Sequence, residues 1–247
     1  MIGPVSAAVT FAGMVVTPLA PRAGRTRRVA ATAVVGGLAV TTVERLRVRW
    51  GPSRAGASAA AVTTLGWAVE SVGIRTGRPF GRYDYTGRLR PAIGGVPAIV
   101  PLAWFAMAAP ARESVHAALG SRSTRLRRVA GGAAALVAWD LFLDPQMVAE
   151  GYWRWAHPGR YRGIPLTNFV GWFATAAVAM AILELTAPPG RECEPGLVAE
   201  YAGVAAMETL GFAAFFRDRT VALVGGAAML PVATVGVIRG GRLFRCG

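Results

Sequence analysis

Apolar residues in this chain gather in long, nearly unbroken runs, and the segments between them are short and rich in arginine, glycine and proline. The runs cover residues 5–20, 29–43, 55–74 and 92–109, then a fifth from residue 129, then 164–187, 197–216 and 220–238. About 20 apolar residues, coiled as a helix, cross a hydrocarbon core about 30 Å thick. The pattern therefore predicts an all-α, polytopic integral membrane helical bundle of about 8 spans, or 7 if the short run 29–43 is not one. Residues 1–247 are expected to form a single membrane domain with structured interfacial loops. No positive charge precedes the first run, as one would in a secretory signal, so it reads as a span. Pro97 and Pro101 predict a fourth helix kinked or broken at membrane depth. A basic loop, 112–128, is expected after it. Residues 75–91 read as a loop with its own structure, and 152–161 as a segment crossing the interface.

Composition agrees with a membrane setting: 53% of residues are hydrophobic and the mean hydropathy is +0.42. The 27 basic residues are all arginine and give a net charge of +14. Their dispersal among many loops fits lipid headgroups and argues against a nucleic-acid partner. Loop arginines divide almost evenly between alternate sides, so charge does not fix orientation. The expected location is the cell membrane, multi-pass. Cys193 and Cys246 lack metal-ligand spacing, and a disulfide between them has no support in the pattern. The segments RPFGRYDYTG and HPGRYRGIP echo one another too briefly to establish an internal repeat.

Acids change this picture, because a carboxylate at mid-membrane costs about 2.5–3.5 kcal/mol on insertion scales. Glu70, Asp140, Asp144, Glu184, Glu200 and Glu208 lie in or near the apolar runs. Glu184 is near a run end and is expected to reach water. Glu200 and Glu208 share a helix face and suit pairing with arginine as well as chemistry. Asp140 and Asp144 stand four residues apart, which on a helix places their Cβ atoms about 5–6 Å apart on one face. Two carboxyls that close in an apolar site should share one proton at neutral pH, a donor beside an acceptor. Around them lie Trp139, Trp153, Trp155, Asn168 and Trp172, so the segment 139–172 reads as the working centre. Trp153 and Trp155, flanked by Arg154 and Arg160, fit an interfacial aromatic belt or a pocket wall. Trp104 and Trp139, within spans, fit a pocket or plain packing.

Four blocks in order, GIRTGRPFGRYDYT after Glu70, GVPAIVPLAW, WDLFLDPQMVAEGYWRW and YRGIPLTNFVGW, resemble the carotenoid biosynthesis membrane-protein family that includes the bacterioruberin-type and γ-carotene-type 1,2-hydratases. The first two and last two spans contribute nothing to the resemblance. It implies addition of water across the terminal C1,C2 double bond of an acyclic C40 or C50 carotenoid, giving a tertiary alcohol. Glu70, Phe80, Tyr83, Tyr85, Trp104, Asp140, Asp144, Trp153, Trp155, Asn168 and Trp172 are among the matching positions; Asp140, Asp144 and Glu70 are expected to be catalytic, and Tyr83, Tyr85, Trp104, Trp139, Trp153, Trp155, Asn168 and Trp172 to bind substrate. Partners would be the carotenoid, water and membrane lipid, with contact to other enzymes of the pathway a further expectation.

The chemistry suits these residues in its own right. Hydrating a trisubstituted alkene needs a proton for the less substituted carbon, a briefly stable tertiary cation and a poised water. It needs no redox cofactor and no metal. A protonated carboxyl supplies the proton, an ionised one takes a proton from water, and tryptophan or tyrosine faces stabilise a cation by about 0.5–2 kcal/mol each. Asn168 and Tyr83 are expected to orient the water. Two alternatives remain open. One is a prenyltransferase using Mg²⁺ and a prenyl diphosphate, with Glu70 and Asp84 as added ligands and arginines on phosphate. The other is a non-catalytic carotenoid-binding membrane protein whose acids merely pair with arginine.

Overall fold

Gly51 and Pro52 make a sharp joint: Gly51 takes φ +86°, which glycine tolerates, and Pro52 opens the following helix, where its missing N–H is not needed. The joint lies between two of eight helices in the computed structural model, which describes residues 2–22, 24–120, 123–188 and 193–243. The helices are α1 (Ile2–Leu19), α2 (Arg25–Trp50), α3 (Pro52–Thr76), α4 (Ile99–Leu119), α5 (Arg125–Ala149), α6 (Leu166–Thr186), α7 (Pro195–Leu210) and α8 (Arg219–Leu243). A π-helical turn, Gly211–Phe215, closes α7. Strands are few and short. β1 (Tyr83–Tyr85) pairs antiparallel with β4 (Trp153–Trp155), and β2 (Ala92–Ile93) with β3 (Val96–Pro97).

Among the described residues, five helices are long and apolar enough to cross a membrane: α2, α3, α6, α7 with its π turn, and α8. α1 is apolar but shorter, while α4 buries Arg112 and Glu113 and α5 buries Asp140 and Asp144. α4 is central and packs against α2, α3, α5, α6, α7 and α8. Its alanines at 103, 106, 108, 109 and 111 are buried and let neighbouring backbones come close. The result is an all-α multi-pass bundle.

Several expected boundaries move, and each has a physical cause. The fourth helix begins at Ile99, because residues 92–97 form the β2–β3 hairpin. Pro101 sits in its first turn, so neither Pro97 nor Pro101 breaks a helix at depth. The expected basic loop 112–128 is mostly helix. Arg112 continues α4 because it pairs with Glu113 and, at 2.7 Å through Nε, with Glu184 Oε1. Arg128 Nη2 holds the other Glu184 oxygen at 2.6 Å. Glu184 is thus buried between two arginines and does not reach water. α2 likewise starts before its apolar run, with Arg27 buried against Glu150 at 2.5 Å. Cys193 is buried, and Cys246 lies outside the described residues.

α5 passes through Pro145 without stopping. Proline lacks the N–H that would bond the carbonyl four residues back, that of Leu141. The Tyr161 hydroxyl donates to that carbonyl at 2.8 Å. Pro110 in α4 poses the same problem at Ala106, whose carbonyl lies 3.3 Å from the Thr42 hydroxyl. Both prolines are therefore tolerated by a hydroxyl from another element.

Candidate active site

The two loops that echo each other in sequence meet at one end of the bundle. Tyr83, Asp84 and Tyr85 stand opposite Trp155, Arg154 and Trp153. Side chains alternate along a strand, so YDY and WRW send four aromatics to one face and leave Asp84 and Arg154 exposed on the other. The inner face covers a cleft lined by ends of α2, α3, α4, α5 and α6. Its empty volume, open mouth included, is about 750 Å³.

α3 delivers Glu70 to this cleft. One turn on, Gly73 gives the Tyr83 ring room, since a Cβ there would lie 2.9 Å from the phenol oxygen. Tyr83 donates a short hydrogen bond to Glu70 Oε2, Tyr85 donates to the same oxygen at 2.7 Å, and Trp104 Nε1 approaches Oε1 at 3.4 Å. Burial first, and the Glu70 charge second, push both phenols well above the usual tyrosine range, so both remain donors. Three donors thus converge on one carboxyl.

α5 delivers the aspartates from the other side. Asn168, in the first turn of α6, donates from Nδ2 to Asp140 Oδ2 at 2.9 Å and to Asp144 Oδ2 at 2.6 Å. Trp153 Nε1 donates to Asp144 Oδ1 at 2.6 Å. Asp144 lines the cleft; Asp140 lies behind it, fully buried, and its Oδ1 has no hydrogen-bond partner. α6 reaches this position because Gly171 lets it close on the loop after α3, where a Cβ would stand 2.7 Å from the Pro79 carbonyl oxygen.

Aromatic faces complete the walls. Trp104 and Trp172 stack with centroids 4.0 Å apart, and Trp139 meets Trp172 edge-on at 6.2 Å. Phe80, within the block GIRTGRPFGRYDYT, adds a further aromatic wall. Among the expected site residues, Glu70, Tyr83, Tyr85, Trp104, Asp144, Trp153, Trp155, Asn168 and Trp172 line the cleft. Trp139 does not; it backs Trp172 and faces a second cavity. Trp153 and Trp155 form the cleft wall rather than a belt facing headgroups. Both Asn168 N–H groups are taken by the aspartates, which leaves its carbonyl oxygen for a water. Asp84 points outward and cannot join Glu70 around a cation. Among the described residues no three His, Cys, Asp or Glu side chains converge as a metal site would require. Among the described residues no arginine forms an ion pair with Glu200 or Glu208: Glu200 Oε1 lies 3.1 Å from the Thr42 hydroxyl, and Glu208 faces the second cavity.

The cleft has a polar neighbour as well. Thr32, Leu89 and Ile99 line both the cleft and a surface depression rimmed by Arg28, Arg88 and Arg90. Those three residues are all that the two spaces share.

A sequence model described as "Carotenoid biosynthesis protein" matches residues 26–239, a stretch that holds every residue of the cleft. The chain belongs to the carotenoid biosynthesis protein family. It is thus a multi-pass membrane protein of carotenoid biosynthesis. Among characterised relatives, the bisanhydrobacterioruberin hydratase of Haloarcula japonica is 36% identical over 134 residues, 53% of this chain and 45% of that protein. The family member described here therefore aligns with less than half the length of that relative. No solved structure matches the chain.

Proposed function

We propose that this protein, in the cell membrane, hydrates the terminal C1,C2 double bond of an acyclic carotenoid to a tertiary alcohol. The observation that carries the reading is the pair Asp140 and Asp144, bridged by one amide and set beside stacked indoles in an apolar cleft. Bridged carboxyls in such a place hold one proton between them, and the titration belongs to the pair.

The proton leaves through Asp144, the member on the cleft wall. The alkene π pair forms the new C2–H bond, which leaves a tertiary cation at C1. Trp104, Trp172 and Trp155 present their π faces to that charge, each supplying about 0.5–2 kcal/mol. A water entering from the arginine-rimmed side gives its lone pair to C1. Its proton passes to the Glu70 carboxylate, which Tyr83 and Tyr85 hold in place, and returns to the aspartate pair through water. Ordinary acid–base transfer accounts for every atom and electron.

One observation favours prenyl transfer instead: Arg28, Arg88 and Arg90 at the mouth could hold a diphosphate. A single experiment separates the two. The gene is expressed in cells accumulating an acyclic carotenoid with free terminal double bonds, and the pigment mass is measured. A gain of one water per modified end supports hydration. A gain of an isoprenoid unit, lost with a chelator, supports prenyl transfer. Unchanged pigment with the protein present in the membrane refutes both.

A further inference from the structure

Next to the cleft is a larger space that the reaction above leaves unused. It lies between α1, α2, α5, α7 and the π-helical turn, and its empty volume, mouth included, is about 1,090 Å³. Its lining is mostly aliphatic and aromatic, with Thr17, Gln146 and Glu208 as the polar members.

Two features say what this space is for. The first is continuity with the cleft. Ala31 and Val35 of α2, with Leu143 and Met147 of α5, line both spaces, so one thin wall of side chains divides them. Ala31 fills little of that wall, and Met147 is unbranched and readily changes rotamer. The second is the direction in which it opens. Val15, Leu19, Leu210 and Phe215 line the space and are also exposed on the outside of the bundle. The mouth therefore opens between α1 and the π turn through a rim of exposed apolar side chains, the surface that hydrocarbon would cover. π turns are rare and recur at functional sites.

A reacting end group is only the tip of a long hydrocarbon, and the rest of that chain has to lie beyond the acids. We propose that the second cavity binds the hydrocarbon chain behind the reacting end. The chain enters sideways from the bilayer between α1 and the π turn, and its tip passes Leu143 and Met147 into the acid cleft. This assignment rests on the hydration reading for the identity of its ligand. In this arrangement hydrocarbon and water reach the aspartates from different sides, and neither blocks the other.

The test uses pigment that stays bound when full-length protein is purified in detergent from carotenoid-producing cells. D144N, which removes the proton donor, is expected to retain carotenoid. Adding M207W, which fills the second cavity without touching the cleft, should reduce bound pigment at least tenfold. V15W, at the exposed rim, keeps the test open should M207W not fold; elution volume and melting temperature report folding. Pigment retained in folded M207W and V15W forms, or no pigment on D144N, overturns the proposal. Failure of hydration is read separately, as absence of hydroxylated product from the wild type. In that event, loss of pigment from the filled variants would still support a bound chain.

Discussion

The indole Nε1 of Trp153 donates to Asp144 Oδ1 at 2.6 Å, and this one bond ties strand β4 to the acid pair of α5. A hydrogen bond to a carboxyl of this kind is worth about 1.5–3 kcal/mol, or roughly 10- to 150-fold. Trp153→Phe keeps the ring and removes the donor. Turnover is expected to fall by that factor with little change in KM, as measured by pigment conversion in membranes. An unchanged rate would mean that Trp153 only packs.

Asp140→Asn and Asp144→Asn each leave the amide bridge sterically possible but remove the shared proton. General acid catalysis contributes about 10²–10⁴-fold, and each variant should lose that much hydroxylated product. Protein in the membrane should stay at wild-type level. Full activity in both would remove the aspartates from the mechanism.

Tyr161 and Pro145 make a paired prediction. Tyr161→Phe leaves the half-buried Leu141 carbonyl without this donor, at a cost of about 0.5–1.5 kcal/mol. The melting temperature in detergent should drop. Combining it with Pro145→Ala restores an N–H four residues on, so the double variant should recover part of the loss. Additive losses would show that the hydroxyl does not serve that carbonyl.

Glu184→Gln breaks a buried cluster by leaving Arg112 and Arg128 short of a partner. Removing one member of a buried pair costs about 3–5 kcal/mol. The yield of folded protein should fall sharply. Activity per folded molecule, counted by detergent gel filtration, should change less than twofold, because Glu184 does not line the cleft.

Some of this site is written plainly in the chain. Asp140 and Asp144 are visible because acids four apart in an apolar run have few structural excuses, and Asn168 because an amide beside an apolar run also costs free energy to bury unless it is hydrogen-bonded. Trp153 and Trp155 were ambiguous for a physical reason: aromatics beside arginines look the same on a headgroup belt and on the inner face of a strand. Only the pairing of YDY with WRW separates the two, and that pairing is tertiary. The period-2 pattern of both triplets was the available signal. Helix ends failed for a related reason. Arg27 and Arg112 end an apolar run but not a helix, because Glu150 and Glu184 neutralise them from elsewhere in the chain. Distant partners of that kind leave no local trace.

The β1–β4 pairing also sets a timetable. The strands are roughly 70 residues apart, so at about 5–20 residues per second β1 waits several seconds for its partner to leave the ribosome. During that interval Glu70 already has Tyr83 and Tyr85, both within fifteen residues of it. The aspartates are synthesised only just ahead of the strand that covers them. In a nascent bundle Asp144 therefore meets Trp153 almost at once, and the chamber is completed last by α6, which brings Asn168 and Trp172.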